Sequence, residues 1–107
     1  MQITISGQHL DLGSSLQEYV NERITKHVNK FFAHAVHSRI NFTKEKHLFV
    51  CHIVINEGTG DGSISKGDAQ GDDPYKAFDL ALEKADAQLR NHKTRIKEHH
   101  HHENSKE

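Results

Sequence analysis

The chain has 107 residues, 34% of them hydrophobic, which is enough for one domain with a single modest core. A mean hydropathy of −0.79 makes that core thin and the surface polar. The net charge of −1 excludes a whole-molecule basic field, the single cysteine excludes an intramolecular disulfide, and no apolar run nears the roughly 18–20 residues of a membrane span.

Residues 2–6 alternate, with Ile3 and Ile5 on one face and Gln2 and Thr4 on the other, as a half-buried strand does. Met1 to Ile5 lack a charged start followed by an apolar stretch, so no secretory signal is read there and a cytoplasmic protein is expected. Gly7 to Gly13 reads as a loop. Ser14 and Ser15 offer N-caps, each with Gln17 or Glu18 three residues later, as a capping box requires. Leu16, Val20, Ile24, Val28 and Phe31 then recur at helical spacing, widened by Tyr19 and His27, which predicts a helix from about Ser15 to Phe31 or Phe32.

Residues 35–45 alternate again, Val36, Ile40 and Phe42 against His37, Arg39, Asn41 and Thr43. A polar turn over Lys44 to His47 leads to a second long strand, 48–56, with Phe49, Cys51, Ile53 and Ile55 on one face and His52 opposite. Gly58, Gly60 and Gly62 make a flexible turn and precede no helix, so they are not a phosphate-cradling loop. Residues 63–70 form a weak strand whose one large apolar residue is Ile64, suited to a sheet edge. Asp73-Pro74 is a helix start, aspartate as N-cap and proline at the first helical position. Tyr75, Phe78, Leu82, Ala85, Leu89, His92 and Ile96 carry that helix from about Pro74 to Lys97, while residues 99–107 are expected to be a disordered histidine-rich tail.

The order is β-α-β-β-β-α. The first crossover makes strands one and two parallel and the next three strands form an antiparallel meander. With one apolar face per strand and one stripe per helix, the expected fold is an α+β two-layer sandwich: a four-stranded mixed sheet with both helices on one face. Double-stranded-RNA-binding domains share this arrangement.

Three stretches carry a resemblance to a known family. They are Met1-Gln2-Ile3-Thr4-Ile5-Ser6-Gly7 with Leu16-Gln17-Glu18-Tyr19-Val20, then the junction Gly67-Asp68-Ala69-Gln70-Gly71-Asp72-Asp73-Pro74-Tyr75-Lys76-Ala77-Phe78-Asp79, then Leu89-Arg90-Asn91-His92-Lys93-Thr94-Arg95-Ile96-Lys97. In order and spacing the chain resembles the bacterial ribosome hibernation-promoting factors, which include the ribosome-associated inhibitor and were once described as sigma-factor modulation proteins. The resemblance covers residues 1 to about 98, expected to be a ribosome-binding domain. It implies the same fold and no chemistry. It also implies binding to the small ribosomal subunit and its rRNA in the decoding channel, where messenger and transfer RNA sit, and inhibition of translation in stress or stationary phase. Some family members carry a C-terminal domain that pairs ribosomes into dimers. The ending of this chain looks like that long subgroup, so it is either a short form or the N-terminal domain of a longer one.

The residues themselves supply a candidate patch. On a helical wheel Arg90, Lys93 and Lys97 end a stripe that begins with Lys76, Asp79, Glu83 and Asp86, while Lys84, Asn91 and Arg95 lie on the opposite flank. Arg23, Lys26 and Lys30 fall within two turns of the first helix, and side-by-side helices would join the clusters into one basic surface. Arginine forks and lysine point charges suit RNA phosphates. The same pattern, acids early and bases late, also complements a helix macrodipole or solvates an exposed face. Lys84, Lys93, Arg95, Lys97, Arg23 and Lys26 match positions usually basic in the family, whereas Ala87 and Asn91 depart from it.

Other residues point less far. Of the eleven histidines, His99 to His102 suit loose metal binding, His27 and His92 border the core or touch RNA, and His37 and His52 are expected to neighbour each other on the open sheet face. No spacing fits a zinc site, so no metal or cofactor is expected. Cys51 reads as a buried small hydrophobe, and Tyr75 as a core residue or a base-stacking ring. No triad or acid–base pair can be assembled, so an enzyme is not expected. Two further readings stand: a general double-stranded RNA-binding module, and a metal-handling or protein-interaction module using the histidine tail.

Overall fold

The computed structural model describes the backbone of residues 2–31, 35, 37–58 and 64–106, with side chains up to His92 except that of Phe31. The elements are β1 (Gln2–Gln8), α1 (Ser14–Phe31), β2 (His37–Glu45), β3 (Leu48–Asn56), β4 (Ile64–Gly71) and α2 (Pro74–Lys106). The sheet runs in the order β1-β2-β3-β4. β1 and β2 are parallel, Ile5 opposite Ile40, and the other two pairings are antiparallel, with Ile40 opposite Ile53 and Ile53 opposite Gly67. This is the expected α+β sandwich, with the weak strand at an edge.

Its core follows the alternation. Leu16, Val20, Ile24 and Val28 from α1 meet Ile40, Phe42, Cys51, Ile53 and Ile55 from the sheet and Phe78, Leu82, Ala85 and Leu89 from α2. Val36, Phe31 and Ile96 lie outside the described side chains.

Each helix start has a local cause. Asp73 Oδ1 accepts from the Lys76 amide at 2.9 Å and the Asp73 carbonyl from the Ala77 amide at 3.1 Å, so aspartate caps α2 as expected. α1 is different. Gly13 takes the cap position, its carbonyl accepting from the Gln17 amide at 3.1 Å, and the Gln17 side chain donates back to the Leu12 carbonyl. The helix therefore starts one residue early, at Ser14, and the expected serine capping box gives way to a glycine cap. At its other end α2 continues from the expected limit near Lys97 to Lys106, through residues read as a tail. No proline or glycine lies in that stretch to stop it.

Between α2 and β4 the two backbones come unusually close. Gly67 and Gly71 lie beneath Ala77, Ala81 and Ala85, and a Cβ on Gly67 would fall 2.0 Å from the Ala81 carbonyl oxygen. The same helix also covers the exposed edge of β4. Gln88 Oε1 accepts from the Lys66 amide at 2.7 Å, and Lys84 Nζ donates to the Asp68 carbonyl at 2.9 Å. Edge groups that would otherwise offer a pairing template are thus satisfied by side chains.

Candidate nucleic-acid interface

Among the described residues, polar contacts bridge the seam between α1 and α2 at two levels. Tyr19 Oη donates to Asp79 Oδ1 at 2.7 Å, and two turns on, His27 Nδ1 lies 3.0 Å from Asp86 Oδ1. Arg90 Nε reaches Asp86 Oδ2 at 3.4 Å. Asp86 is only 16% exposed and is shared between a residue of each helix, so it holds the start of the basic end of α2 against α1. Partial burial and the Asp79 carboxylate raise the Tyr19 phenol above its ordinary pKa.

The Tyr19 ring is the centre of a small aromatic group. It stands edge-on to Tyr75 at 5.0 Å and to Phe78 at 5.8 Å, with the Arg23 guanidinium 4.7 Å above it. Tyr75 is 37% exposed, so it flanks the core rather than filling it.

The expected basic residues are only partly gathered. Arg23 and Lys30 lie a turn before and after His27 on α1, and Arg90 faces them across the seam through Asp86. Lys26 is on the outer side of α1, in a shallow depression with Glu18, Asn21, Glu22 and Thr25. Lys84 is on the far flank of α2, tied to the β4 backbone. The backbone of Lys93, Arg95 and Lys97 is helical, and their side chains, like those of His99 to His102, lie outside the described residues. The seam also contains Asp79 and Asp86, so the surface there is a row of bases interleaved with engaged acids.

Sequence reasoning missed a buried carboxylate. Glu57 is 1% exposed and its Oε2 accepts from Ser65 Oγ at 2.5 Å and from His92 Nδ1 at 2.6 Å. Its Oε1 has no partner among the described residues. A signal was available. Glu57 continues the i, i+2 phase of Phe49, Cys51, Ile53 and Ile55, so the strand aims it inward. The contact clamps His92, two residues beyond Arg90, onto the β3–β4 corner.

The histidines on the open face are not neighbours. His37 pairs with Asn56 and His52 with Asn41, four residues apart along the ladder. His37 Nε2 meets Thr4 Oγ1 at 2.9 Å, and His52 Nδ1 meets Asp68 Oδ1 at 2.5 Å. Among the described residues no cluster of three metal-ligating side chains forms.

Cys51 is fully buried, and burial, with Asp68 adding, pushes its thiol up to about 12. Since the thiolate is the reactive form, the native protein will resist a thiol-specific reagent at pH 8 and label fully once unfolded in urea. Rapid labelling of the folded chain would show that this strand opens readily.

Residues 3–97 match the family described as sigma 54 modulation protein / S30EA ribosomal protein, and the chain belongs to it. Members are non-enzymatic ribosome-binding proteins. A ribosome hibernation promoting factor of Azotobacter vinelandii is 31% identical over 96 residues, covering 87% of this chain and 83% of that protein. One from Escherichia coli K12 is 28% identical over 101 residues and is covered completely. The ribosome hibernation promotion factor of Rhizobium meliloti is 29% identical over 100 residues, and there the chain spans only 52% of the relative's length. Among solved structures, a ribosomal subunit interface protein from Coxiella burnetii superposes with a TM-score of 0.73 at 25% identity over 88% of this chain and 99% of that one. The N-terminal domain of Thermus thermophilus Protein Y gives 0.73 at 15% identity over 85% of this chain and 98% of that one, a likeness of fold. Among the described residues no helix is long and apolar enough to cross a membrane.

Proposed function

We propose that this chain binds the small ribosomal subunit in its decoding and transfer-RNA channel, contacts rRNA there, and so holds translation idle in the cytoplasm of stressed or stationary-phase bacteria. Residues 1–98 are the binding unit. Family membership and the hibernation factors among its relatives support this reading, and the interhelical seam carries it. His27 and Arg90, meeting on Asp86, set the basic face of α1 beside the basic end of α2. Arg23, Lys30, Arg90, Lys93, Arg95 and Lys97 supply the phosphate contacts. Lys26 and Lys84, on the outer flanks, add to the field without sharing the seam. The mechanism is competition: a protein in the channel excludes messenger and transfer RNA, and no bond is made or broken.

Sedimentation with purified small subunits across a salt series tests this. The parent chain is expected to co-sediment and to lose affinity steeply as salt rises, because each phosphate contact displaces counterions. A variant carrying Arg90→Glu, Lys93→Glu, Arg95→Glu and Lys97→Glu is expected to stay in the supernatant. Absence of binding by the parent at low salt overturns the reading. Equal affinity for any RNA duplex of similar length would replace it with general duplex binding.

A further inference from the structure

The sheet face away from the helices is unevenly charged. Two rows of residues cross it near the Asn56 end of β3: Thr4, Arg39, Val54 and Lys66, then Gln2, His37, Asn56 and Ile64. These eight include two full cations and an imidazole but no carboxylate. The next row holds Asp68, already engaged by His52. Among the described residues neither Arg39 nor Lys66 has an acidic side chain within ion-pairing distance. Between them the surface sinks into a depression of about 250 Å³ lined by His37, Arg39, Val54, Asn56 and Ile64.

The floor and rim differ in chemistry. Val54 is half-buried and Ile64 is 44% exposed, a large aliphatic side chain left open to solvent beside an imidazole ring. Asn56 Oδ1 accepts from the Gly58 amide at 3.0 Å, which leaves its Nδ2 hydrogens free to donate outward. Arg39 and Lys66 stand on either side of Val54, two strand spacings or about 10 Å apart at their backbones.

We infer that this depression is a binding site for a nucleotide of single-stranded RNA, separate from the helical surface. The base lies on Val54 and Ile64 and against the His37 ring, its edge hydrogen-bonds to Asn56, and the flanking phosphates meet Arg39 and Lys66. Charge complementarity selects this occupant: paired cations call for a polyanion, and the small apolar floor with a ring at its side accepts a flat base. A duplex would not fit, because its bases are stacked away from the surface. The inference goes beyond the proposed ribosome binding and does not require it, since it concerns RNA strands in solution.

The test is a titration of the full chain with a short oligoribonucleotide, followed by backbone amide NMR and by anisotropy of the labelled strand. Amide shifts are expected at His37, Arg39, Val54, Asn56, Ile64 and Lys66, and they should persist in the variant reversed at Arg90, Lys93, Arg95 and Lys97. Arg39→Glu with Lys66→Glu, both on exposed side chains, is expected to keep the parent's melting temperature and lower affinity at least tenfold. Arg39→Ala with Lys66→Ala should flatten the slope of log affinity against log salt by about 1.4, the value for two single-strand phosphate contacts. Shifts confined to α1 and α2, or unchanged affinity in the Arg39→Glu, Lys66→Glu variant, overturn the inference. So does a response to adenosine monophosphate with none to the strand, which would make this a free-nucleotide site. Concentration-dependent shifts on this face without RNA would assign it to a second copy of the chain and overturn it too. A failure of subunit sedimentation leaves these shifts unaffected, so the two readings fall separately.

Discussion

Replacing Gly67 by alanine is expected to destabilise the fold by about 3 kcal/mol or more, at or beyond the upper range for overpacking a core. The new Cβ would fall 2.0 Å from the Ala81 carbonyl oxygen and 2.8 Å from the Ala85 amide nitrogen. Both are backbone atoms, so no side chain can swing aside. α2 must lift off β4, and with it go the contacts of Phe78, Leu82 and Leu89. Marginal domains hold only about 5–15 kcal/mol in all, so the melting temperature should fall by roughly 10 °C or more. Gly13 is the control: a Cβ there meets nothing within 4 Å, and Gly13→Ala should cost at most about 1 kcal/mol, through the helix cap. Parallel thermal and urea melts followed by circular dichroism decide the matter. Equal melting of the Gly67 variant and the parent would mean that strand and helix do not approach this closely.

The second large effect is expected at the buried carboxylate. His92→Ala removes one of the two donors to Glu57 Oε2, whose partner oxygen already lacks a contact among the described residues. A buried acceptor left short of partners costs about 1–3 kcal/mol, and more if ionised. The variant should lose about 2 kcal/mol or more by urea titration. Glu57→Gln with His92→Ala should recover part of that loss, because the amide carries no charge to strand in the core. If the double variant proves less stable than the single one by the full cost of Glu57→Gln alone, the two side chains are not coupled. The clamp also fixes the rotation of α2 just before Lys93, so under the proposed function loosening it should weaken small-subunit binding alongside stability.

Much of the fold was legible because the repeats of two and 3.6 residues are strong in this chain. Phe49, Cys51, Ile53 and Ile55 mark a strand unmistakably, and Asp73-Pro74 marks a helix start. What escaped notice depended on distances between elements. Ala77 and Ala81 look like weak core residues until Gly67 and Gly71 are set beneath them, where their smallness becomes the requirement. Glu57 lay in plain phase with its strand, but a carboxylate just past a strand reads as loop. The separation of His37 and His52 followed from the hairpin. Only Lys46 and His47 turn, with Glu45 opposite Leu48, and a longer turn shifts the pairing. The basic residues show the same limit. A wheel gives the direction of Lys84 but not its partner, and here the partner is a strand carbonyl.

The cover that α2 places over β4 has a consequence for how the chain is made. α2 follows β4, so while the first five elements emerge during synthesis, Lys66 and Asp68 have neither Gln88 nor Lys84 to occupy them, and Gly67 lies bare. A nascent chain arrested before Pro74 would therefore expose both an open strand and half a core, the combination that invites pairing with another nascent chain. α2 also bears most of the cations proposed to contact rRNA, so the β4 edge is shielded by the same element that supplies them.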